Sequence, residues 1–512
     1  MSALLGSVTS MHAEPAAAAV PVPRSTTPRA LPAAVTALAA FLALGLSTGL
    51  LLGAPAGAGD NGDGARLWCG AGLDPLTPSG KSAWQGGVVL DFATGGRACA
   101  DPLPSSALVV LRAVTPAGPG TWSLTTLGWA YLVAVVGAAA LAAWAASARG
   151  PRRAALLAVP VLPLAEPAFG RFLISTYSEP AGLVGTSVLL MGAVVVAVTR
   201  RDDRAERVVA LALVVSGGVL AGTAKSGYLP LLAAAGVLCL VTAVGSRGVR
   251  GRLTGIAAVV ALVGLSAGPA VATSQWQARH YAGVNATDLV FSTVLPEVGP
   301  DAVARLGLPP AAAHRSGTTY FPRADPDLPG QAVITADPDA VRDAALRELA
   351  THPAALLRAV GVSVQATQGR GVDYLPSAPW TPPTVAPSDG VVTGPEGSDA
   401  AALRMWLATM AAPWWPSAVL LAGLAVGVAT MAAPVRRRFP AATAAARIGG
   451  LCAATSLALA ALAVLGDGYF EIAKHVWLAA YLVDTTVLAL VATLAAAVVD
   501  HLLRVQGHRA DA

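Results

Sequence analysis

Ten apolar runs, most of them about twenty residues long and almost free of charge, constrain this chain more than any other feature. They occupy residues 31–54, 124–147, 154–168, 181–199, 208–224, 229–246, 254–273, 413–434, 444–465 and 477–500. A run of this length matches the thickness of the hydrocarbon layer when it is helical. Only 12% of the chain is charged, about half of the roughly 25% that a soluble domain carries. A soluble enzyme, a nucleic-acid binder and a disordered scaffold are thereby excluded. The expected fold is an all-α integral membrane protein with about ten transmembrane helices.

The arginines test that count. Arg149, Arg152 and Arg153 follow the second run, and Arg200, Arg201, Arg204 and Arg207 the fourth. Arg247, Arg250 and Arg252 follow the sixth, Arg436 to Arg438 the eighth, and Arg504 and Arg509 the tenth. Every cluster falls on the side of the N-terminus, which the positive-inside rule makes cytoplasmic. The net charge of +5 and pI near 9.2 are therefore a topology signal and not a nucleic-acid footprint. A multi-pass protein of the bacterial plasma membrane with both termini cytoplasmic is expected.

This topology divides the chain. Residues 1–30 read as a disordered cytoplasmic N-terminus. Residues 31–273 hold helices 1–7, with a first outer loop at 55–123. An extracytoplasmic loop domain spans 274–412, helices 8–10 lie within 413–500, and 501–512 form a cytoplasmic tail. The first run is read as an uncleaved anchor because it is longer than a signal-peptide core, although APAGAG at 54–59 resembles a cleavage site. Within the second loop, 337–367 reads as one helix capped by Asp337 or Asp339, and 375–400 as a flexible return. The third run is short and broken by Pro160 and Pro163. Cys69 and Cys99 share the first outer loop, where an oxidising exterior permits a disulfide. Cys239 and Cys452 lie inside apolar helices as packing residues.

The remaining ionisable residues gather at outer helix ends. GDNGDGARL (59–67) places Asp60 and Asp63 just beyond the first helix. A carboxylate there can deprotonate an acceptor hydroxyl, and a solvated turn explains the same composition. An EF-hand does not fit, because Gly62 and Gly64 stand where ligands belong. FGRFLISTYSEP contributes Arg171, Tyr177 and Glu179, the last either a site carboxylate or a first-turn acid complementing the helix dipole. Lys225 in GTAKSGYLP is an outer-side lysine suited to a lipid phosphate or to snorkelling into solvent. GDGYFEIAKHVW holds Asp467, Glu471, Lys474 and His475; the Glu471–Lys474 and Glu471–His475 spacings put each pair on one helix face. The inner face carries no nucleotide-binding motif. A site fed from within the membrane follows.

These segments resemble the GT-C membrane glycosyltransferases, and more narrowly bacterial hexose transferases of glycan biosynthesis. The likeness rests on GDNGD after the first helix, TYSEP, the LGLP loop, the HPAALLR helix and the late GDGYFEIAKH. It implies transfer of a sugar from a polyprenyl-phosphate donor to a glycan or lipid acceptor on the extracytoplasmic face. It also implies that Asp60 or Asp63 is the base and that Glu179 is the second acid. Lys225 or Arg171 would face the donor phosphate, with Lys474, His475 and Glu471 completing the pocket. Some relatives use a divalent metal and others none. The two acids are adjacent in the commonest family pattern and two residues apart here, which leaves the choice of base open. A transporter or flippase is the main rival, but it would set its charges near the bilayer midplane, and a non-catalytic partner of polysaccharide assembly is the other.

Overall fold

The computed structural model describes residues 28–53, 55–58, 62–76, 89–245, 249–320, 327–368 and 413–510. Asp60, the return at 375–400 and nearly all of the N-terminal 1–30 segment lie outside the described residues. The chain is a polytopic helical membrane protein. Helix α1 (Ala30–Ser47) leads into the first large loop, which holds β1 (Asp74–Pro75), β2 (Asp91–Thr94), α2 (Ser106–Val114) and β3 (Gly120–Ser123). The bundle continues with α3 (Thr125–Ala146), α4 (Ala158–Leu164), α5 (Glu179–Val198), α6 (Arg204–Gly222), α7 (Pro230–Val241) and α8 (Val249–Asp288). Helices α9 (Pro338–Thr351) and α10 (Pro353–Ala366) belong to the second loop. Helices α11 (Trp415–Ala429), α12 (Pro440–Asp467) and α13 (Trp477–Ala510) close the bundle.

Each of the ten apolar runs is predominantly helical, but they are not ten equal spans. Among the described residues seven helices are long and apolar enough to cross a membrane, and a bent pair raises that to eight. The segments Ser226–Val241 and Trp415–Ala429 are apolar but shorter. The bent pair is the third run: Pro151–Leu164 turns by 69° into Pro167–Leu173. Proline at 160, 163 and 167 removes three backbone donors, which favours a break here. The carbonyl of Pro160 accepts from the Tyr481 hydroxyl at 2.7 Å, so the broken segment keeps its polar backbone satisfied inside the bundle.

Helix α5 is the axis, with every residue from Glu179 to Val195 buried. It meets α6 with almost no side-chain spacing, since a Cβ on Gly217 would lie 2.5 Å from the Gly185 carbonyl oxygen. At its C-terminal end the arginines are partly neutralised: Arg149 pairs with Asp203 at 2.7 Å and Arg29 with Glu206 at 2.6 Å.

The first loop adds a small antiparallel sheet of β1, β2 and β3 in that order. Two further expectations are corrected. Helix 7 does not stop at 273. It continues through α8 to Asp288 and a π-helical turn at Leu289–Val294, and Gly299 at φ 111 follows the helical turn Leu295–Val298. Its polar extension finds partners in the first loop, with the Trp276 indole donating to the Asp101 carbonyl at 3.0 Å. The expected helix over 337–367 is two helices, since Pro353 cannot continue the first. Asp337 caps α9 by accepting from the Ala340 amide at 3.0 Å. Cys69 and Cys99 are disulfide-bonded, with Cα atoms 5.4 Å apart, while Cys239 and Cys452 are free and buried.

Candidate functional site

Five chain turns meet at the end of the bundle opposite the Arg149–Asp203 pair. They are the turn after α1, the N-terminus of α5, the α6–α7 connection, the C-terminus of α12 and the turn before α13. Glu179 occupies the first turn of α5 and is 4% exposed. The Ser178 hydroxyl donates to its Oε2 at 3.1 Å, and Lys225 Nζ lies 3.3 Å from Oε1. Glu179 is thus a first-turn acid that is also paired with a lysine. The Lys225 turn is pinned from outside by α2: Ser105 Oγ donates to the Ala224 carbonyl at 2.6 Å, and the Ser106 amide to Thr223 at 3.1 Å.

Asp63 follows a turn at Gly62, whose φ of 108 suits glycine. It pairs with Arg66 at 2.7 Å and with Lys474. Burial alone would raise the Asp63 carboxyl, but Lys474 and Arg66 outweigh it and bring it down to about 2. Lys474, 7% exposed, is also 3.2 Å from Glu471. Burial opposes its charge, yet Asp63 and Glu471 keep its pKa above the usual lysine value. The Lys474 ammonium lies 6.0 Å from the centre of the Tyr177 ring.

Glu471 and His475 do not share a helix face as expected. Glu471 sits outside the one-turn helix Ile472–His475 at φ 45, the one non-glycine residue with positive φ among the described residues. Strain of this kind concentrates at functional sites. His475 turns instead to Asp467, with Nδ1 3.3 Å from Oδ2. Burial, with Lys225 and Lys474 beside it, depresses its pKa well below the usual value and leaves the imidazole neutral. The turn can form because Gly468 adopts φ 64 where a Cβ would strike the Asp288 carbonyl oxygen at 2.5 Å.

Two hollows adjoin these groups. One, of about 270 Å³, is lined by Lys225, Gln277, Asn285, Arg342, Asp467 and His475 among others. A crevice of about 30 Å³ is lined by Asp63, Arg66, Tyr177, Glu179, Lys225 and Trp276. Lys225, Ser226 and Gln277 are common to both, so the Lys225 turn is the partition between them. Arg171 lines neither. Thr273, Trp276 and Gln277, on one face of α8, and Arg342 of α9 are among the lining residues that sequence reasoning missed. Their i, i+3, i+4 spacing was the available signal for the first three. Among the described residues no group of three or more His, Cys, Asp or Glu could hold a metal ion.

The arrangement offers an ionised carboxylate, a second buried carboxylate, two lysines and a neutral imidazole beside a hollow at one end of the helix bundle. Residues 25–369 match the family model of the YfdI N-terminal transmembrane domain. That stretch carries Asp63, Glu179 and Lys225 but ends before Lys474 and His475. No curated protein and no solved structure matches the chain.

Proposed function

The chain belongs to the YfdI N-terminal transmembrane domain family, and we propose that it is a membrane glycosyltransferase of envelope glycan biosynthesis. It moves a sugar from a polyprenyl-phosphate donor to a glycan or lipid acceptor on the extracytoplasmic face. The observation that carries this reading is the pairing of acids with lysines, Asp63 with Lys474 and Glu179 with Lys225, with Asp63, Glu179 and Lys225 lining a crevice that shares the Lys225 turn with the larger hollow. Sugar transfer from a lipid phosphate needs a base for the acceptor hydroxyl and cations for the departing phosphate. The hollow of about 270 Å³ lies near the lower end of the ~300–1,000 Å³ of small-molecule pockets, which suits one sugar unit better than an oligosaccharide.

Asp63 is the base in this reading. In the resting protein Lys474 and Arg66 make it a weak one. A donor phosphate competes with the carboxylates for Lys225 and Lys474, and as they turn to it Asp63 gains basicity. Binding of the donor thus arms the base. Glu179 holds Lys225 toward the phosphate until that exchange. The neutral His475 and Glu471 shape the acceptor side, and Arg171 orders the turn before α5.

Sugar release from a synthetic polyprenyl-phosphate hexose, followed with the purified protein in lipid nanodiscs, tests the reading. Asp63→Asn is expected to lower turnover by about 10²–10⁴-fold, with Glu179→Gln and Lys225→Met also impaired and all three proteins folded. Wild-type turnover in Asp63→Asn and Glu179→Gln would sink the assignment.

A further inference from the structure

A second and larger hollow lies at the other end of α5. It is a lateral groove of about 670 Å³ between α5, α7, α11 and α12. Its walls are apolar and include Val237, Val241, Leu424, Val428 and Leu451. Val237 is 56% exposed, Val241 69% and Val428 61%, so the groove is open sideways, toward lipid. Its floor is the contact between α11 and α12, where a Cβ on Gly427 would lie 2.8 Å from the Gly450 Cα.

The head of the groove is cationic. Arg201, Arg207, Arg436 and Arg447 line it together, and no acidic residue does. The acids closest in sequence are committed elsewhere, Asp203 to Arg149 and Glu206 to Arg29. Arg447 stands seven residues into α12, about 10 Å along the axis from the helix start, beside the apolar wall and not beyond it. Arg207 spends its terminal nitrogens on the carbonyls of Ala243, Val196 and Thr199 and braces the head of the groove. The guanidinium groups of Arg201, Arg436 and Arg447 above a slot open to hydrocarbon match a phosphate carrying acyl chains, because arginine binds phosphate oxygens in a bidentate fork.

We propose that this groove holds an anionic phospholipid of the arginine-side leaflet, its phosphate clasped by Arg201, Arg436 and Arg447 and its chains lying between α7 and α11. The site is distinct from the sugar-transfer hollow, about 30 Å away along α5, and does not depend on that activity. The bound lipid joins α5 and α7, inside the stretch that matches the family, to α11 and α12, outside it. It acts as mortar between the two parts of the bundle.

The test uses the full chain in vesicles of phosphatidylcholine alone or mixed with phosphatidylglycerol, followed by mild re-extraction and mass spectrometry of the retained lipid. The wild type retains phosphatidylglycerol in preference to phosphatidylcholine. An Arg436→Gln, Arg447→Gln double variant retains roughly tenfold less or lower. An Arg437→Gln, Arg438→Gln variant, which removes the same charge from the same side but not from the groove, retains the wild-type amount. Leu424→Trp plugs the slot without changing charge and also loses the lipid, which covers the case in which the arginine variant does not fold. Equal loss in both arginine pairs would reduce the site to diffuse surface charge and overturn the proposal. So would equal retention of the two phospholipids, or capture of a polyprenyl phosphate when both lipid types are offered.

Discussion

At the scale of single residues, a chain this poor in charge makes its buried ion pairs informative. Lys474 is held by Asp63 and by Glu471, so removing Asp63 takes one carboxylate away from a cation in a nearly dry place. We expect Asp63→Asn to cost about 1–3 kcal/mol of stability, less than the ~3–5 kcal/mol of a fully orphaned charge, because Glu471 stays. Lys474→Met in the same background should recover part of it, and a double-mutant cycle on thermal unfolding in detergent reads the coupling. His475 gives a pH dependence of known sign. Its folded pKa lies well below 6.5, so as pH falls through 6.5 the unfolded chain binds a proton that the folded chain refuses. The His475 contribution to stability should therefore fall below pH 6.5, by at most about 1.4 kcal/mol per pH unit, and stay level above it, and it is read as the difference between the wild type and His475→Asn. Asp63 adds nothing to that slope, since a carboxylate lowered to about 2 loses its contribution only below about pH 4. Melting curves of both proteins from pH 8 to 5 check this. Lys225, Lys474 and Glu179 were legible in the sequence because a charge at an outer helix end stands out against the apolar runs on either side of it. Trp276 and Arg342 were not, since an aromatic on a helix and an arginine in a polar loop are commonplace until their neighbours are known.

At the scale of elements, hydropathy located the helices well but said little about how they bend or where they end. The 69° bend after Leu164 was foreshadowed by Pro160 and Pro163, yet a bent helix and a broken one read alike in sequence. The extension of α8 was hidden because its second half, from Ser274 to Asp288, is polar. Residues such as Gln277 and Arg279 look like loop when hydropathy is the only measure. Close helix approaches were also invisible, for a glycine in an apolar run has the same appearance whether it faces lipid or another backbone. Gly217 faces α5: a Cβ there would meet Leu189 N at 2.4 Å and the Gly185 oxygen at 2.5 Å. Gly137 of α3 has nothing within 4 Å. Gly217→Val should cost about 1–3 kcal/mol or more through forced separation of α5 and α6, while Gly137→Val should stay within about 0.5 kcal/mol. Yield and unfolding midpoint of the two variants, compared side by side, decide it.

At the scale of the whole molecule, the ends of α5 organise everything else, with acids and lysines at one and arginines at the other. The proposed orientation puts the lysine end outside the cell. The native cysteines give a quiet background for testing it, because two are bonded to each other and two are buried. Ala117→Cys, on an exposed turn of the first loop, should react with an impermeant maleimide on intact cells. Arg437→Cys should react only after permeabilisation, and the reverse pattern would invert the topology. The Cys69–Cys99 bond has a bearing on manufacture as well as on shape. It fastens the loop six residues after Asp63, and thiols of this kind remain reduced in the cytosol. On the proposed orientation the newly made chain therefore carries its candidate base on an unfastened loop, and crossing the bilayer becomes the final stage of its maturation. A copy inserted upside down would keep that loop unfinished on the side where no lipid-linked sugar should be consumed.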